Sequence, residues 1–239
     1  PHSVEKKIAT LIRKRRVIFG SDGSENRGIG KFAWEILDTN NLQSPLLMFQ
    51  APVHGDVDQV SALRAELFGL FACLHYIHYI VTKFRLQPKH IPVYSDCNNA
   101  IIAATKAFYI SCKSVLGDDS DICAELRYAF KQVQHFVNIN HVKSHQNDTK
   151  PISKLSPAAL LNVSLDRYMK KLNVPVSIQH TNLTPHLPCQ KISLRNNFER
   201  LTNNYPTSLT RYSIEYEAEQ IAAHNWKLTH DEMSQVNWK

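Results

Sequence analysis

Short apolar runs alternate along this chain with longer stretches whose apolar residues recur every three or four positions. Val17-Ile18-Phe19 is the first compact run, and it ends at Gly20-Ser21-Asp22-Gly23. Its β-branched and aromatic residues predict a buried strand entering a turn. Residues 31–37 alternate apolar and polar, and residues 45–52 are a further strand candidate. The three strands predict an antiparallel meander, with turns at Gly28-Ile29-Gly30 and Asn40-Asn41. Over residues 59–84 the period changes: Leu63, Leu67, Leu70, Phe71, Leu74, Ile77 and Ile80 follow helical spacing. Pro88 breaks that pattern, and residues 91–94 read as a short strand ending at Ser95-Asp96. Residues 97–109 and 122–133 predict helices on either side of a Gly-Asp-Asp segment at 117–119. Residues 136–142 predict a strand, residues 143–157 a loop, and residues 158–172 a last helix. Helices alternating with the later strands imply an α/β fold, a mixed sheet covered on its faces.

The texture changes after Leu172. Residues 174–188 are rich in Pro, Thr and Asn and read as a linker. Residues 208–226 form a helical candidate with Leu209, Tyr212, Tyr216 and Ile221 on one side, and Thr229 with Glu232 resembles a capping box. The expected organisation is a basic, amphipathic lead-in at 1–15, a principal domain at 16–172, and a linker with a short helical extension at 173–239.

Composition narrows the function classes. The chain has 239 residues, 43% hydrophobic and 21% charged, which is globular rather than disordered. The net charge of +7 and pI of about 9.1 point to an anionic partner such as nucleic acid. No apolar run approaches the roughly 20 residues that span a bilayer, so no membrane partner is expected. The five cysteines are scattered, odd in number and free of CxxC spacing. That pattern predicts a reducing, intracellular compartment, cytoplasm or nucleus, and no targeting signal is evident. The sequons at Asn147 and Asn162 then read as chance matches. A start at Pro rather than Met predicts a fragment or processed product.

The candidate chemistry lies in four acids. Asp22 and Asp96 each follow an apolar run, and Glu66 lies beside Leu63, Leu67 and Leu70 on the long helix. A carboxylate bordering an apolar face is costly unless it is paired or binds a metal. Neighbouring strands can bring the two aspartates together, a helix packed across them can deliver Glu66, and Asp166 on the last helix can complete the group. Taken singly, an Asp after a strand is a turn or cap residue; the set carries the reading. Such hard oxygen ligands suit Mg²⁺ or Mn²⁺ rather than zinc.

At these residues the chain resembles the type 1 ribonuclease H family. The matching blocks are Ser21-Asp22-Gly23-Ser24, Arg64-Ala65-Glu66-Leu67, Tyr94-Ser95-Asp96 and His141-Val142-Lys143-Ser144-His145-Gln146. Leu161-Asn162 followed by Leu165-Asp166 completes the series. The resemblance implies a ribonuclease H-like fold, a five-stranded mixed sheet of order 3-2-1-4-5 flanked by helices. It implies endonucleolytic cleavage of the RNA strand of an RNA–DNA hybrid by a two-metal-ion mechanism. Asp22, Glu66, Asp96 and Asp166 match the metal-binding acids, and two Mg²⁺ ions are the implied cofactor, with Mn²⁺ also suited. His145 matches a loop histidine that assists proton transfer or product release, a task for which imidazole is suited. Ser24 and Asn98 stand where the family contacts the hybrid. Lys and Arg hold phosphates without reading sequence, and Arg27, Lys31, Lys83, Arg85, Lys89 and Lys143 are candidates. The details look closest to ribonuclease H domains of retrotransposon polyproteins, downstream of a reverse transcriptase, which makes that domain a candidate partner. The isolated chain is expected to be a monomer.

Two departures favour an alternative, a catalytically inactive hybrid-binding or scaffold domain. Ser144 stands where Gly is usual, which strains the loop if that position needs positive φ. Cys97 replaces a small hydroxyl residue after the third acid. A related nuclease of the same fold, such as an integrase or exonuclease, is a further alternative. The pairs His75/His78, His141/His145 and Cys112/Cys123 lack the further ligands a zinc site needs. Phe71, Tyr76, Tyr79 and Phe84 read as core and helix surface rather than a base-stacking platform, and Trp34 as a residue packed in the sheet.

Overall fold

The computed structural model describes residues 2–53, 60–106 and 118–171, together with the backbone of 195–196 and 199–200. Its centre is β1 (Val17–Asn26), hydrogen-bonded on one side to β2 (Ile29–Asp38) and on the other to β4 (Ile91–Ser95). β3 (Leu47–Pro52) pairs antiparallel with β2, and β5 (Val137–His141) pairs parallel with β4. The sheet order is therefore 3-2-1-4-5, antiparallel on the β3 side and parallel on the β5 side.

The long helix α2 (Ala62–Lys83) crosses one face with α1 (His2–Arg13), α3 (Asn98–Thr105) and α4 (Ser120–Val133). α5 (Pro157–Lys171) covers the other face. Alternation along the strands explains the division. Val17 and Phe19 of β1, with Phe32, Trp34 and Ile36 of β2, join the core that contains Leu67, Leu70, Leu74 and Ile77 of α2. Ile18, Ala33 and Leu37 meet Leu161, Leu165 and Met169 of α5. A strand covered on both faces reads as a continuous apolar run, which is why Val17-Ile18-Phe19 is so conspicuous in the sequence. Trp34 packs between Phe49 and Tyr76 as a residue of the sheet.

The structure differs from the sequence reading at several points. β1 does not end at Asp22; its ladder with β2 runs on to Asn26, because backbone pairing continues beneath polar side chains. The turn that follows is at Arg27-Gly28, both with positive φ (54° and 77°). The basic lead-in is a helix whose Ile8, Ala9, Leu11 and Ile12 are buried against the main core, while its charges stay outside. α2 is also long and apolar enough, by length and composition, to cross a membrane; its apolar side is the centre of the main core. The helix expected over 97–109 is seen as Asn98–Thr105, and residues 107–109 lie outside the described residues. So does almost all of the linker and extension at 173–239, apart from a two-stranded pairing of β6 (Arg195–Asn196) with β7 (Glu199–Arg200).

One core residue carries a charge problem. Glu35 on β2 has no exposed surface and points to α5, where the Ser164 hydroxyl donates to its Oε2 at 2.9 Å. Its Oε1 is buried without a hydrogen-bond partner. Burial pushes this carboxyl up to about 7 against the Ser164 bond. A raised folded value means the folded state binds the proton more tightly than the unfolded chain. Stability is then full below the ordinary carboxyl range and falls as pH rises from there to about 7. Glu35→Gln, which stays neutral, is expected to diminish that loss by up to about 3 kcal/mol. Urea unfolding of both proteins at about pH 5 and about pH 8 measures it; an equal loss in the two would contradict the assignment.

Candidate active site

Asp22 is placed by the middle of β1, Asp96 by the residue after β4, and Glu66 by the first turn and a half of α2. β1 and β4 are parallel neighbours, so their carboxylates emerge side by side. Two glycines allow α2 to lie directly on β1. A Cβ at Gly23 would sit well inside contact distance of the Glu66 amide nitrogen and the Ala65 carbonyl carbon. A Cβ at Gly69 would come 2.9 Å from the Asp22 carbonyl oxygen. Close backbone approach, rather than a turn, is the reason for glycine at both positions.

The result is an acidic cluster. One carboxylate oxygen from each of Asp22, Glu66 and Asp96 lies within 4.8 Å of the others. Asp22 is 9% exposed, and burial pushes its carboxyl up to about 7, with the Asp96 charge adding to the effect. Glu66 is also pushed well above the carboxylate range, by burial first and then by the charges of Asp22 and Asp96. Its Oε2 is buried with no hydrogen-bond partner. Like charges at this spacing, with an unsatisfied acceptor among them, suit a divalent cation bound through hard oxygens.

These acids open onto a cavity of about 580 Å³. Asp166 of α5 and His145 of the loop before it line the same cavity, as does Ser24. Asp166 stands apart from the tight trio and accepts an ion pair from Lys170, one helical turn on, at 2.9 Å. Asn98 is the exposed first residue of α3, and its neighbour Asn99 lines the cavity. Among the basic candidates Lys31 lines the cavity, its ammonium donating to the Met169 carbonyl at 2.6 Å. Lys83 is bound to Glu5 at 2.8 Å, at the far end of α2.

Two residues at the site were not singled out as functional by sequence reasoning. The Asn162 amide donates to Asp96 Oδ2 at 3.3 Å and so holds the orientation of that carboxylate from α5. Its signal was present, since it lies four residues before Asp166, on the same helix face. His141 Nε2 meets the Asp96 carbonyl oxygen at 3.0 Å and tethers the β4 terminus.

The two departures have local explanations. The left-handed residue in the 143–146 loop is His145 itself, with φ 52°, and Ser144 is not among the positive-φ residues. Histidine is one of the side chains found there more often than most. Cys97 is the N-cap of α3 and makes no side-chain cap bond. A thiol in place of a hydroxyl therefore costs a cap and leaves the acids in place. Among the described residues the Asp22, Glu66 and Asp96 trio is the single group of His, Cys, Asp or Glu side chains with metal-ligand spacing. His75 packs edge-on against Phe71 at 4.6 Å, and Cys112 lies outside the described residues.

No family model matches the chain, and no curated protein matches it. Solved structures do. Ribonuclease H1 of Halobacterium salinarum is 17% identical over 56% of this chain and 89% of its own, with a TM-score of 0.39. LC11 ribonuclease H1, solved with an RNA/DNA hybrid, is 14% identical over 64% of this chain and 99% of its own, with a TM-score of 0.42. The PFV ribonuclease H domain is 12% identical over 64% and 95%, with a TM-score of 0.41. What decides the fold is the strand order 3-2-1-4-5 with helices on both faces. The fold is ribonuclease H-like. Within a ribonuclease H-like sheet, the acids sit where β1 and β4 run parallel and α2 crosses them.

Proposed function

We propose that this chain is an endoribonuclease that hydrolyses the RNA strand of RNA–DNA hybrids, using two Mg²⁺ ions, with Mn²⁺ also able to serve. The observation that carries the reading is the convergence of Asp22, Glu66 and Asp96 around a buried, unpartnered Glu66 oxygen. Those three residues would hold one ion, and Asp22 with Asp166 would contribute to the second. When bound, such ions supply Lewis acidity and charge neutralisation at a phosphodiester. Asn162 keeps the Asp96 carboxylate turned toward the site. His145 lines the cavity on a loop and can carry a proton to or from the scissile region. Ser24 and Asn99 offer neutral hydrogen-bonding groups to sugar hydroxyls, and Lys31 a cation to a phosphate. Asn98 stays a candidate for hybrid contact beside Asn99.

In this reading residues 16–172 form the nuclease domain of a retroelement polyprotein. It acts in a reducing, intracellular compartment, next to a reverse transcriptase domain, and is a monomer when isolated. Ser144 lies outside the left-handed region, which removes the backbone argument for an inactive copy. The test is a set of end-labelled duplexes with Mg²⁺: RNA–DNA, DNA–DNA and RNA–RNA. Cleavage confined to the RNA strand of the hybrid is expected. Cleavage of duplex DNA would instead favour the integrase or exonuclease reading.

A further inference from the structure

A fully buried charge lies two residues from Glu66. Arg64 has no exposed surface, and its guanidinium pairs with two buried aspartates, Asp119 and Asp121. Both its terminal nitrogens donate to Asp121, each at 2.8 Å, and Nη1 also reaches Asp119 at 3.0 Å. The Ser61 hydroxyl caps α2 by accepting from the Arg64 amide at 2.9 Å and donates to Asp119 at 3.2 Å. The guanidinium also lies over the Phe68 ring, 5.2 Å from its centre. Asp119 is the residue before α4 and is held with φ 54°. The cluster therefore binds the first turn of α2 to the start of α4.

Glu66 is thus held from two sides. On one side its backbone rests on the bare face of Gly23 in β1. On the other, the preceding turn is pulled toward α4 by a planar, bidentate ion pair, a geometry that only arginine supplies. A carboxylate with a buried, unpartnered oxygen beside two other acids does not hold its own position. We propose that Arg64, through Asp119 and Asp121, is a positioning residue that fixes Glu66 for divalent-cation binding. The proposal rests on the reading that Glu66 holds such a cation.

Charge and position give opposite signs, and that makes the role measurable. If Arg64 acted only through its charge, removing a cation near the acids would tighten Mg²⁺ binding. If it positions Glu66, its loss weakens Mg²⁺ binding although the site becomes more negative. The experiment is calorimetric titration of the full chain with MgCl₂, alongside hybrid cleavage by the unaltered protein. Arg64→Met is expected to weaken Mg²⁺ binding on the order of tenfold or more, and Arg64→Lys by less, since Lys keeps the charge and loses the fork. Leu126→Ala, a core truncation in α4, lowers stability and is expected to leave Mg²⁺ affinity unchanged. Should Arg64→Met not fold, combining it with Asp119→Asn and Asp121→Asn also neutralises the two aspartates that Arg64 pairs, and this variant is titrated instead. Unchanged or tighter Mg²⁺ binding in a folded variant overturns the positioning role while leaving the nuclease reading intact. An unaltered protein that neither binds Mg²⁺ nor cleaves the hybrid overturns both.

Discussion

Asp22→Asn is expected to raise the unfolding temperature of the metal-free protein at neutral pH and to abolish its stabilisation by Mg²⁺. The reason is the crowding of three carboxylates within 4.8 Å of one another. Burial and the Asp96 charge push the Asp22 carboxyl up to about 7, and Glu66 is raised by the same kinds of cause. For a group raised in the folded state, stability is full below the ordinary carboxyl range and is lost as pH climbs toward the folded value. Above about pH 7 the metal-free protein therefore carries the whole repulsion. Asn removes one of the three charges at nearly constant shape, a gain on the order of 2–4 kcal/mol. The unaltered protein recovers its loss another way, because a cation that binds only the folded state adds about 2.7 kcal/mol at a hundred times its dissociation constant. Thermal unfolding with EDTA and with saturating Mg²⁺ separates the two effects. A variant less stable than the parent in EDTA, or one with an undiminished Mg²⁺ response, would count against the acids as a metal site.

The second large effect is expected at Gly23. Gly23→Ala places a methyl group against backbone atoms of Ala65 and Glu66, and backbone cannot rotate aside as a side chain can. α2 must move off β1, and Glu66 moves with it. A displacement of about 1 Å in a reacting constellation can lower turnover on the order of a hundredfold. The variant is expected to lose at least that much hybrid cleavage and to bind Mg²⁺ more weakly, while its far-ultraviolet spectrum stays that of a folded α/β protein. Steady-state cleavage with rising Mg²⁺ is the measurement. Parental turnover in Gly23→Ala would show that the close approach of β1 and α2 does not matter to the site.

Much of this was legible in the chain because it is local. The strand Val17-Ile18-Phe19 is buried on both faces and so needs apolar residues in succession; the 59–84 helix shows its inward face at each turn. Asp22, Glu66 and Asp96 could be proposed as a group because each borders such an element. What the sequence did not disclose depends on distant pairings. Arg64 meets aspartates 55 and 57 residues away, and nothing near Asp119 or Asp121 marks them as its partners. The Asp96 bond to Asn162 spans 66 residues. Glu35 looks like the solvent-facing member of an alternating strand until α5 is seen to cover it. The lead-in helix shows the opposite difficulty. Its apolar stripe at Ile8, Leu11 and Ile12 was visible, but the density of basic residues concealed that it packs on the core. Asp166 lies between these cases: it was reached through the last helix, and the structure places it at the cavity but beside Lys170, outside the tight trio.

These acids are expected to cut RNA. The most direct measurement places the unaltered protein and Asp96→Asn side by side on a labelled RNA–DNA hybrid with Mg²⁺. Asp96 belongs to the trio and is held in place by Asn162, so removing its charge should leave the fold and end the chemistry. Cleavage of the RNA strand by the unaltered protein, reduced at least a hundredfold or so in Asp96→Asn, is the expected result. No cleavage by the unaltered protein, or cleavage that persists in Asp96→Asn, would contradict it.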